Sequence, residues 1–169
     1  SERALANSIS VPRAHTTSAL APRWGPPYTR RVDASAARDP AAAARAARRA
    51  GEPPSVGLIL GSGLGELAER VEAAARTPYA ELPGMPRPGV LGHAGELVLG
   101  RLGGQSVAVL RGRVHLYEGH DAATVAFPVR VLAELGCRTL IVTNAAGGLN
   151  PSFAAGDLMA IEDHIFLPG

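Results

Sequence analysis

The sequence predicts an α/β fold, because short apolar strands alternate with helical segments along most of the chain. Two predicted strands, residues 56–60 and 139–142, run directly into turns that are rich in glycine or alanine. The ends of such strands are where α/β proteins bind ligands. With 169 residues, of which 46% are hydrophobic and 19% charged, the chain has the composition of a globular protein.

The first elements are predicted from composition and from the residues that begin or end helices and strands. Residues 40–50 are rich in Ala and Arg and predict a helix, with Asp39 as its N-cap and residues 51–54 as its end. Residues 56–60 are a short unbroken apolar run, which is typical of a buried strand. A second helix is expected after the turn at residues 61–65. Its predicted buried face has amphipathic spacing and consists of Leu64, Leu67, Ala68 and Val71.

The middle of the chain predicts a loop and a hairpin. Residues 77–93 contain many prolines and glycines and predict a surface loop. Residues 97–102 and 106–110 suit the two strands of a hairpin. Residues 111–121 then form a predicted polar loop.

A third helix is expected next, with Thr124 as candidate N-cap and Gly136 as its end. Pro128 is expected near its first turn, where proline is tolerated. The predicted apolar face consists of Val125, Val129, Leu132 and Ala133. Strands at residues 139–142 and 158–161 complete the prediction.

Charge is distributed unevenly. All 17 basic residues are Arg, and nine of them lie in residues 1–50 beside only three acidic residues. Residues 1–32 are predicted to be a flexible basic leader, and residues 33–169 to carry the globular fold. The leader lacks the aromatic interleaving of a nucleic-acid site, and its composition leaves a transit peptide open. We expect no nucleic-acid partner, and since no apolar run reaches the length of a membrane span, no membrane partner.

The chain has a single cysteine, Cys137. This excludes an internal disulfide framework and a zinc site built from several cysteines. A buried structural thiol is expected, and a reducing compartment fits it, so we predict a cytoplasmic protein.

Residues 61–65 (GSGLG) are the first segment that predicts chemistry. Small residues between a strand and a helix let backbone amides point at an anion, and the hydroxyl of Ser62 adds a donor. No Gly-Lys-Ser/Thr follows, which excludes a nucleotide P-loop, and Glu66 replaces the third glycine of a dinucleotide fingerprint. The alternative is a tight connection with no ligand.

Residues 111–120 are the second segment. Arg113, His115 and Tyr117 alternate onto one side if this stretch is extended. An Arg fork and an imidazole that point the same way form an oxyanion clamp.

A metal site is the alternative for this segment, with His115, Glu118 and His120 as ligands. Their spacing matches neither zincin pattern, and Gly119 disfavours the helix that those patterns need. We therefore predict no metal.

Residues 143–150 (TNAAGGLN) are the third segment, a strand end whose tiny side chains let a ligand approach the backbone. Asn144 and Asn150 also suit turns. Taken alone, His93 in its loop predicts only a solvated histidine.

These segments, in this order and spacing, resemble the trimeric, low-molecular-mass purine nucleoside phosphorylases. The resemblance extends over about residues 38–169 and indicates the N-terminal part of such a domain. It implies a nucleoside phosphorylase-like mixed β-sheet flanked by helices, incomplete in this chain. The matching segments are residues 61–65 (GSGLG), 92–95 (GHAG), 112–119 (GRVHLYEG), 143–150 (TNAAGGLN) and 156–159 (GDLM).

The resemblance implies phosphorolysis of purine (deoxy)ribonucleosides to the free base and α-(deoxy)ribose 1-phosphate, in purine salvage. Inorganic phosphate is the expected co-substrate, with no cofactor. The expected partners are the purine nucleoside and phosphate, and the complete protein is expected to be a homotrimer.

By the same resemblance, the residues expected to bind phosphate are Ser62, His93, Arg113, His115 and the backbone amide of Ala145. His115 is also the expected catalytic residue. The residues expected to bind the nucleoside are Tyr117, Ala145 and Gly147, and Glu118 is expected to order its loop.

Two alternatives remain at this point. The methylthioadenosine phosphorylases share the fold, but the loop at residues 115–119 and the Ala-Ala-Gly-Gly turn favour the purine nucleoside branch. Family members also continue beyond the segment that corresponds to residues 163–169 and carry their base-binding residues there. The second alternative is therefore a truncated, catalytically inactive remnant that binds phosphate or another subunit.

Overall fold

The computed structural model describes residues 38–48, 52–88 and 95–165 of the chain. Five strands form one mixed sheet in the order β2-β3-β4-β1-β5. The strands are β1 (Val56–Leu60), β2 (Glu72–Pro78), β3 (Glu96–Leu102), β4 (Gln105–Arg111) and β5 (Thr139–Val142). Strands β4, β1 and β5 run parallel, while β2-β3 and β3-β4 are antiparallel pairs. The expected α/β fold is confirmed.

In the described part of the chain, two helices accompany the sheet, α1 (Pro40–Ala47) and α2 (Ala122–Leu135), together with three short 3-10 helices. The 3-10 helices span Gly65–Arg70, Tyr79–Glu81 and Leu116–Glu118. The two strands of the predicted hairpin are also confirmed, as β3 and β4. Gly103 and Gly104 join them with positive φ angles of 56° and 78°, a conformation that a two-residue hairpin turn requires.

Helix α1 begins as the sequence predicts. The carboxylate of Asp39 accepts a hydrogen bond from the backbone N–H of Ala41 at 2.9 Å, and Pro40 occupies the first helical position. The alanines at 43, 44 and 47 are buried in one apolar cluster with Phe127 and other residues of α2. Their small side chains let the two helices approach closely, so the Ala-rich composition serves packing as well as helix formation.

Helix α2 corrects the predicted cap and face. Its N-cap is Asp121 rather than Thr124, and the Asp121 carboxylate accepts from the backbone N–H of Thr124 at 2.6 Å. Gly136 ends the helix as predicted, with φ at 113°. The buried side chains are Thr124, Phe127, Pro128, Val131, Leu132 and Leu135. Only Leu132 belongs to the predicted face. The Val and Ala residues of α2 are distributed around the helix, so burial of the large Phe127 ring determines which face packs against the core.

Pro128 also lies deeper than predicted, at the seventh position of α2 rather than in its first turn. It is buried against the core. Tertiary packing therefore stabilises a helical position that proline disfavours by itself.

The segment after β1 departs most from the sequence prediction. The expected amphipathic helix is a six-residue 3-10 helix, Gly65–Arg70. Of the predicted face, Ala68 and Val71 are buried, Leu67 is half-buried, and Leu64, which precedes the helix, is 37% exposed. Strand β2 follows in an Ala-rich stretch of helix-like composition. Pairing with β3 outweighs that local preference. The pairing contains an irregularity between Glu72 and Ala75, where Ala73 has a φ of 52°.

Two further predictions are wrong. The predicted surface loop at residues 77–93 contains core residues, since Tyr79, Leu82 and Met85 are buried; its residues 89–93 lie outside the described residues. Residues 158–161 form no strand, and Leu158 is 94% exposed. An extended segment becomes a strand only when a neighbouring backbone pairs with it, and no described strand does so here.

The predictions for residues 1–32, Gly51 and His93 fall outside the described residues. None of the helices that the structure describes combines the length and the apolar character needed to cross a membrane.

Candidate functional site

Three parallel strands end side by side at one edge of the sheet. Leu60 of β1 is in register with Arg111 of β4, and Ile59 of β1 with Val142 of β5. The three predicted segments therefore leave the sheet at adjacent positions, with the β1 exit in the middle. This is the edge at which α/β sheets bind ligands.

The exits of β1 and β5 are joined through Thr143. Its hydroxyl accepts a hydrogen bond from the backbone N–H of Gly61 at 2.9 Å and donates to the carbonyl of Ile59 at 3.3 Å. Its backbone N–H also donates to the Ile59 carbonyl, at 3.0 Å. A Cβ atom on Gly61 would lie 2.4 Å from the carbonyl oxygen of Thr143, so the close approach of the two backbones requires glycine.

Arg113 joins the exits of β4 and β5. Its Nη1 donates a hydrogen bond to the carbonyl oxygen of Thr143 at 2.7 Å, which holds the half-buried side chain across the end of β1. A guanidinium has five N–H donors, so one bond to a carbonyl is compatible with a clamp on an anion.

The rings of His115 and Tyr117 lie side by side, although the stretch is not extended through Tyr117 as the prediction for Arg113, His115 and Tyr117 required. Their rings stack with centroids 4.7 Å apart and planes 13° from parallel. A 3-10 turn rather than an extended strand brings them together. Glu118 orders this turn, because its carboxylate accepts from the backbone N–H of His115 at 2.8 Å. Tyr117 is 79% exposed, so its ring is available to a ligand.

The turn at residues 61–65 is compact. The N–H of Leu64 donates to the carbonyl of Gly61 at 3.2 Å, and Gly63 has a φ of 86°. Ser62 is exposed at its tip. Because the following helix is a short 3-10 helix, a helix dipole contributes little to anion binding at this turn. The N–H groups of Gly61 and Leu64 are already bonded to Thr143 and Gly61, so the other backbone amides and the Ser62 hydroxyl are the donors that this turn offers.

The backbone after β5 is open, since Ala145 and Gly147 are exposed. Asn144 donates from its side-chain amide to the carbonyl of Ala145 at 3.3 Å. Asn150 is a turn former, as its side-chain oxygen accepts from the backbone N–H of Ser152 at 3.0 Å. This segment offers main-chain groups to a ligand.

An ion-pair network connects the elements that lead into the site. Glu96 accepts from Arg76 at 2.9 Å and from Arg111 at 3.0 Å, and Glu69 accepts from the same two arginines at 2.7 and 2.8 Å. The hydrogen bond to Glu96 is the main cause that raises the pKa of Arg111, and the charge of Glu69 adds to it. The network ties the 3-10 helix that follows the 61–65 turn to strands β2, β3 and β4.

Tyr79 supports the start of the loop that carries Arg113. Its hydroxyl donates to the carbonyl of the buried Gly112 at 2.8 Å, and its backbone N–H donates to the carbonyl of Gly95 at 2.7 Å. Desolvation raises the pKa of Tyr79 far above its ordinary value, and the negative charge of Glu96 adds to the effect. The phenol therefore remains a donor at neutral pH.

These supporting residues are not among those predicted from the sequence. Thr143 begins the predicted segment at residues 143–150, and its place directly after a strand is the signal that the sequence contains. Tyr79 lies in a stretch rich in Pro and Gly, where no periodicity indicates burial. Glu69 lies in the predicted amphipathic helix, where a charged residue indicates only an exposed face.

The structure places each predicted site residue that it describes. The segments that carry Ser62, Arg113, His115 and Ala145 start from adjacent strand ends, whereas His93 lies outside the described residues. Over the described ranges, no three His, Cys, Asp or Glu side chains come close enough to hold a metal ion.

Comparison with known proteins places the chain in a family. Residues 55–169 match the phosphorylase superfamily. Over 112 residues the chain is 57% identical to purine nucleoside phosphorylase 1 of Geobacillus stearothermophilus, covering 66% of this chain and 41% of the relative. It is 53% identical over 116 residues to the purine nucleoside phosphorylase of Mus musculus, covering 69% and 40%.

A solved structure agrees with the sequence relatives. Isoform 2 of purine nucleoside phosphorylase from Schistosoma mansoni, in complex with cytosine and ribose-1-phosphate, superimposes with a TM-score of 0.63 at 42% identity. The match covers 70% of this chain and 42% of that structure. The chain thus spans about two fifths of the length of the proteins it resembles.

Proposed function

Because the chain belongs to the phosphorylase superfamily, we propose that it forms the N-terminal part of a purine nucleoside phosphorylase. The reaction is phosphorolysis of purine (deoxy)ribonucleosides to the free base and α-(deoxy)ribose 1-phosphate. Relatives at 53% and 57% identity that carry this name support the proposal. The rest of the complete protein supplies the groups that bind the base.

The chemistry explains why an anion site is needed. The bond between the purine nitrogen and C1′ of the sugar breaks, and its electron pair leaves with the base, which takes up a proton. A phosphate oxygen forms the new bond to C1′ from the opposite face. The sugar is cation-like in the transition state, so a phosphate held in place stabilises it and attacks it.

The observation that carries the proposal is the position of Arg113 across the end of β1, bonded to the carbonyl of Thr143. This bond brings a cation from the exit of β4 to the exit of β5, the two strands on either side of β1. We propose that the phosphate ligands are Ser62, His93, Arg113, His115 and the amide of Ala145. His115 acts as the catalytic residue by keeping phosphate aligned with C1′.

Tyr117, Ala145 and Gly147 contact the nucleoside in this proposal. The exposed face of Tyr117 supports a sugar contact, because an aromatic ring packs well on the apolar face of a sugar. The reaction uses inorganic phosphate as co-substrate and needs no metal or cofactor. The complete protein is a cytoplasmic homotrimer that acts in purine salvage.

Steady-state kinetics of the complete protein with inosine and phosphate test this function. We expect hypoxanthine release only when phosphate is present. Arg113→Ala should lower kcat/KM for phosphate on the order of a hundredfold, because it removes a donor aimed at the anion, and should change KM for inosine much less. Arg130→Ala, which removes an exposed arginine on α2, is the matched charge control and should behave as wild type. Base release that does not depend on phosphate would contradict the proposal.

A further inference from the structure

Thr143 makes contacts that none of the proposed ligand roles uses. Its side chain and backbone connect all three strand exits of the candidate site. The hydroxyl pairs with Gly61 N–H and the Ile59 carbonyl, and the Thr143 carbonyl accepts from Arg113. Ala145, a proposed phosphate ligand, follows two residues later.

We infer that Thr143 is a positioning residue for phosphate, an inference that rests on the proposed function. The hydroxyl holds the β1 exit, and with it the turn that carries Ser62. The carbonyl of the same residue holds the guanidinium of Arg113. A single residue therefore sets the distance between the donors from β1, β4 and β5, although its side chain is bonded to the β1 backbone.

The packing around Thr143 makes the position of its backbone well defined. Gly61 lies so close that an added Cβ would come within 2.4 Å of the Thr143 carbonyl oxygen and 2.9 Å of the Asn144 Cα atom. A shift of the Thr143 peptide would be transmitted to the 61–65 turn through this contact, and to Arg113 through the hydrogen bond at 2.7 Å. Displacements of this kind, well below the size of a side chain, are enough to weaken an aligned anion site.

The hydroxyl can be tested apart from the shape of the side chain. Valine keeps the β-branched form that suits a strand end but leaves the Gly61 N–H without its acceptor. Serine keeps the hydroxyl and loses only a methyl group. Thr143→Val and Thr143→Ser are therefore a matched pair, and Thr143→Ala gives a second variant that lacks the hydroxyl if valine prevents folding.

The experiment measures KM for phosphate and KM for inosine in the complete protein, with melting temperatures of each variant. We expect Thr143→Val or Thr143→Ala to raise KM for phosphate about tenfold, with KM for inosine changed less than about twofold, while Thr143→Ser stays within about twofold of wild type. A variant without the hydroxyl that loses melting temperature but keeps the wild-type KM for phosphate overturns the inference and leaves the proposed function intact. A wild-type protein with no phosphate-dependent cleavage overturns the proposed function, and this inference with it.

Discussion

The hydroxyl of Tyr79 donates a hydrogen bond to the backbone carbonyl of Gly112 at 2.8 Å, inside the core and beneath the loop that carries Arg113. Tyr79 is only 2% exposed, and Gly112 is buried as well. The bond joins a stretch rich in Pro and Gly to the exit of β4. It therefore links the stability of the core to the geometry of the candidate site.

Tyr79→Phe should destabilise the protein by about 1–3 kcal/mol, because the substitution leaves the Gly112 carbonyl buried without this donor. Urea denaturation of the complete protein measures the free energy of unfolding. Tyr117→Phe is the control, since the Tyr117 side chain is largely exposed and its loss of a hydroxyl should leave stability unchanged. Equal stability of the two variants would show that the buried bond contributes nothing.

Gly61→Ala should destabilise the protein by about 1–3 kcal/mol, because the new methyl group would meet the backbone of residue 143 at 2.4 Å and that backbone would have to move. Thermal or chemical denaturation checks the loss. Gly65→Ala in the same turn is the matched control. Its nearest contact would be Nε of Arg111 at 3.6 Å, an ordinary van der Waals distance, so we expect little change or slight stabilisation. The prediction fails if the two substitutions cost the same.

Glu96→Gln should cost about 1 kcal/mol of stability, since it removes the charge that Arg76 and Arg111 share. The side chain of Glu96 is only 17% exposed, so solvent screens these pairs incompletely. Glu52→Gln breaks an exposed pair with Arg101 and should have almost no effect. Urea titrations at low and high salt distinguish the two variants. We expect a loss of unfolding free energy that depends on salt for Glu96→Gln alone. Indistinguishable midpoints for the two variants would contradict the proposed importance of the network.

Cys137 should react slowly with iodoacetamide at pH 8. Burial raises the pKa of its thiol to about 11, so the reactive thiolate is far scarcer than in an unfolded chain, where the pKa is about 8.5. We expect alkylation to be about a hundredfold slower in the native protein than in urea, with the rate measured by mass spectrometry. The rate should rise with pH past 9 in the native protein. Equal rates in both states would indicate an exposed thiol with an ordinary pKa.

Much of the fold could be predicted where local signals and burial agree. Strand β1 and the β3-β4 hairpin are short apolar runs bounded by glycine, and Asp39 and Gly136 mark helix ends by capping chemistry that depends on neighbouring residues only. Strand β2 could not be predicted this way, because its alanines favour helix until β3 pairs with them. The face of α2 could not be predicted either, since it follows the burial of Phe127 in a core that distant residues build.

The sequence by itself determined the family, the strand β1, the β3-β4 hairpin and the strand β5, and the three segments that carry Ser62, Arg113 and Ala145. Those features are local in character, because glycine-rich turns and apolar runs leave their signature in consecutive residues. Only the tertiary structure decided that the β1 exit lies between those of β4 and β5, and that Thr143 connects them. Hydrogen bonds between residues 30 and 82 positions apart depend on the register of parallel strands, and that register is set by packing across the whole sheet.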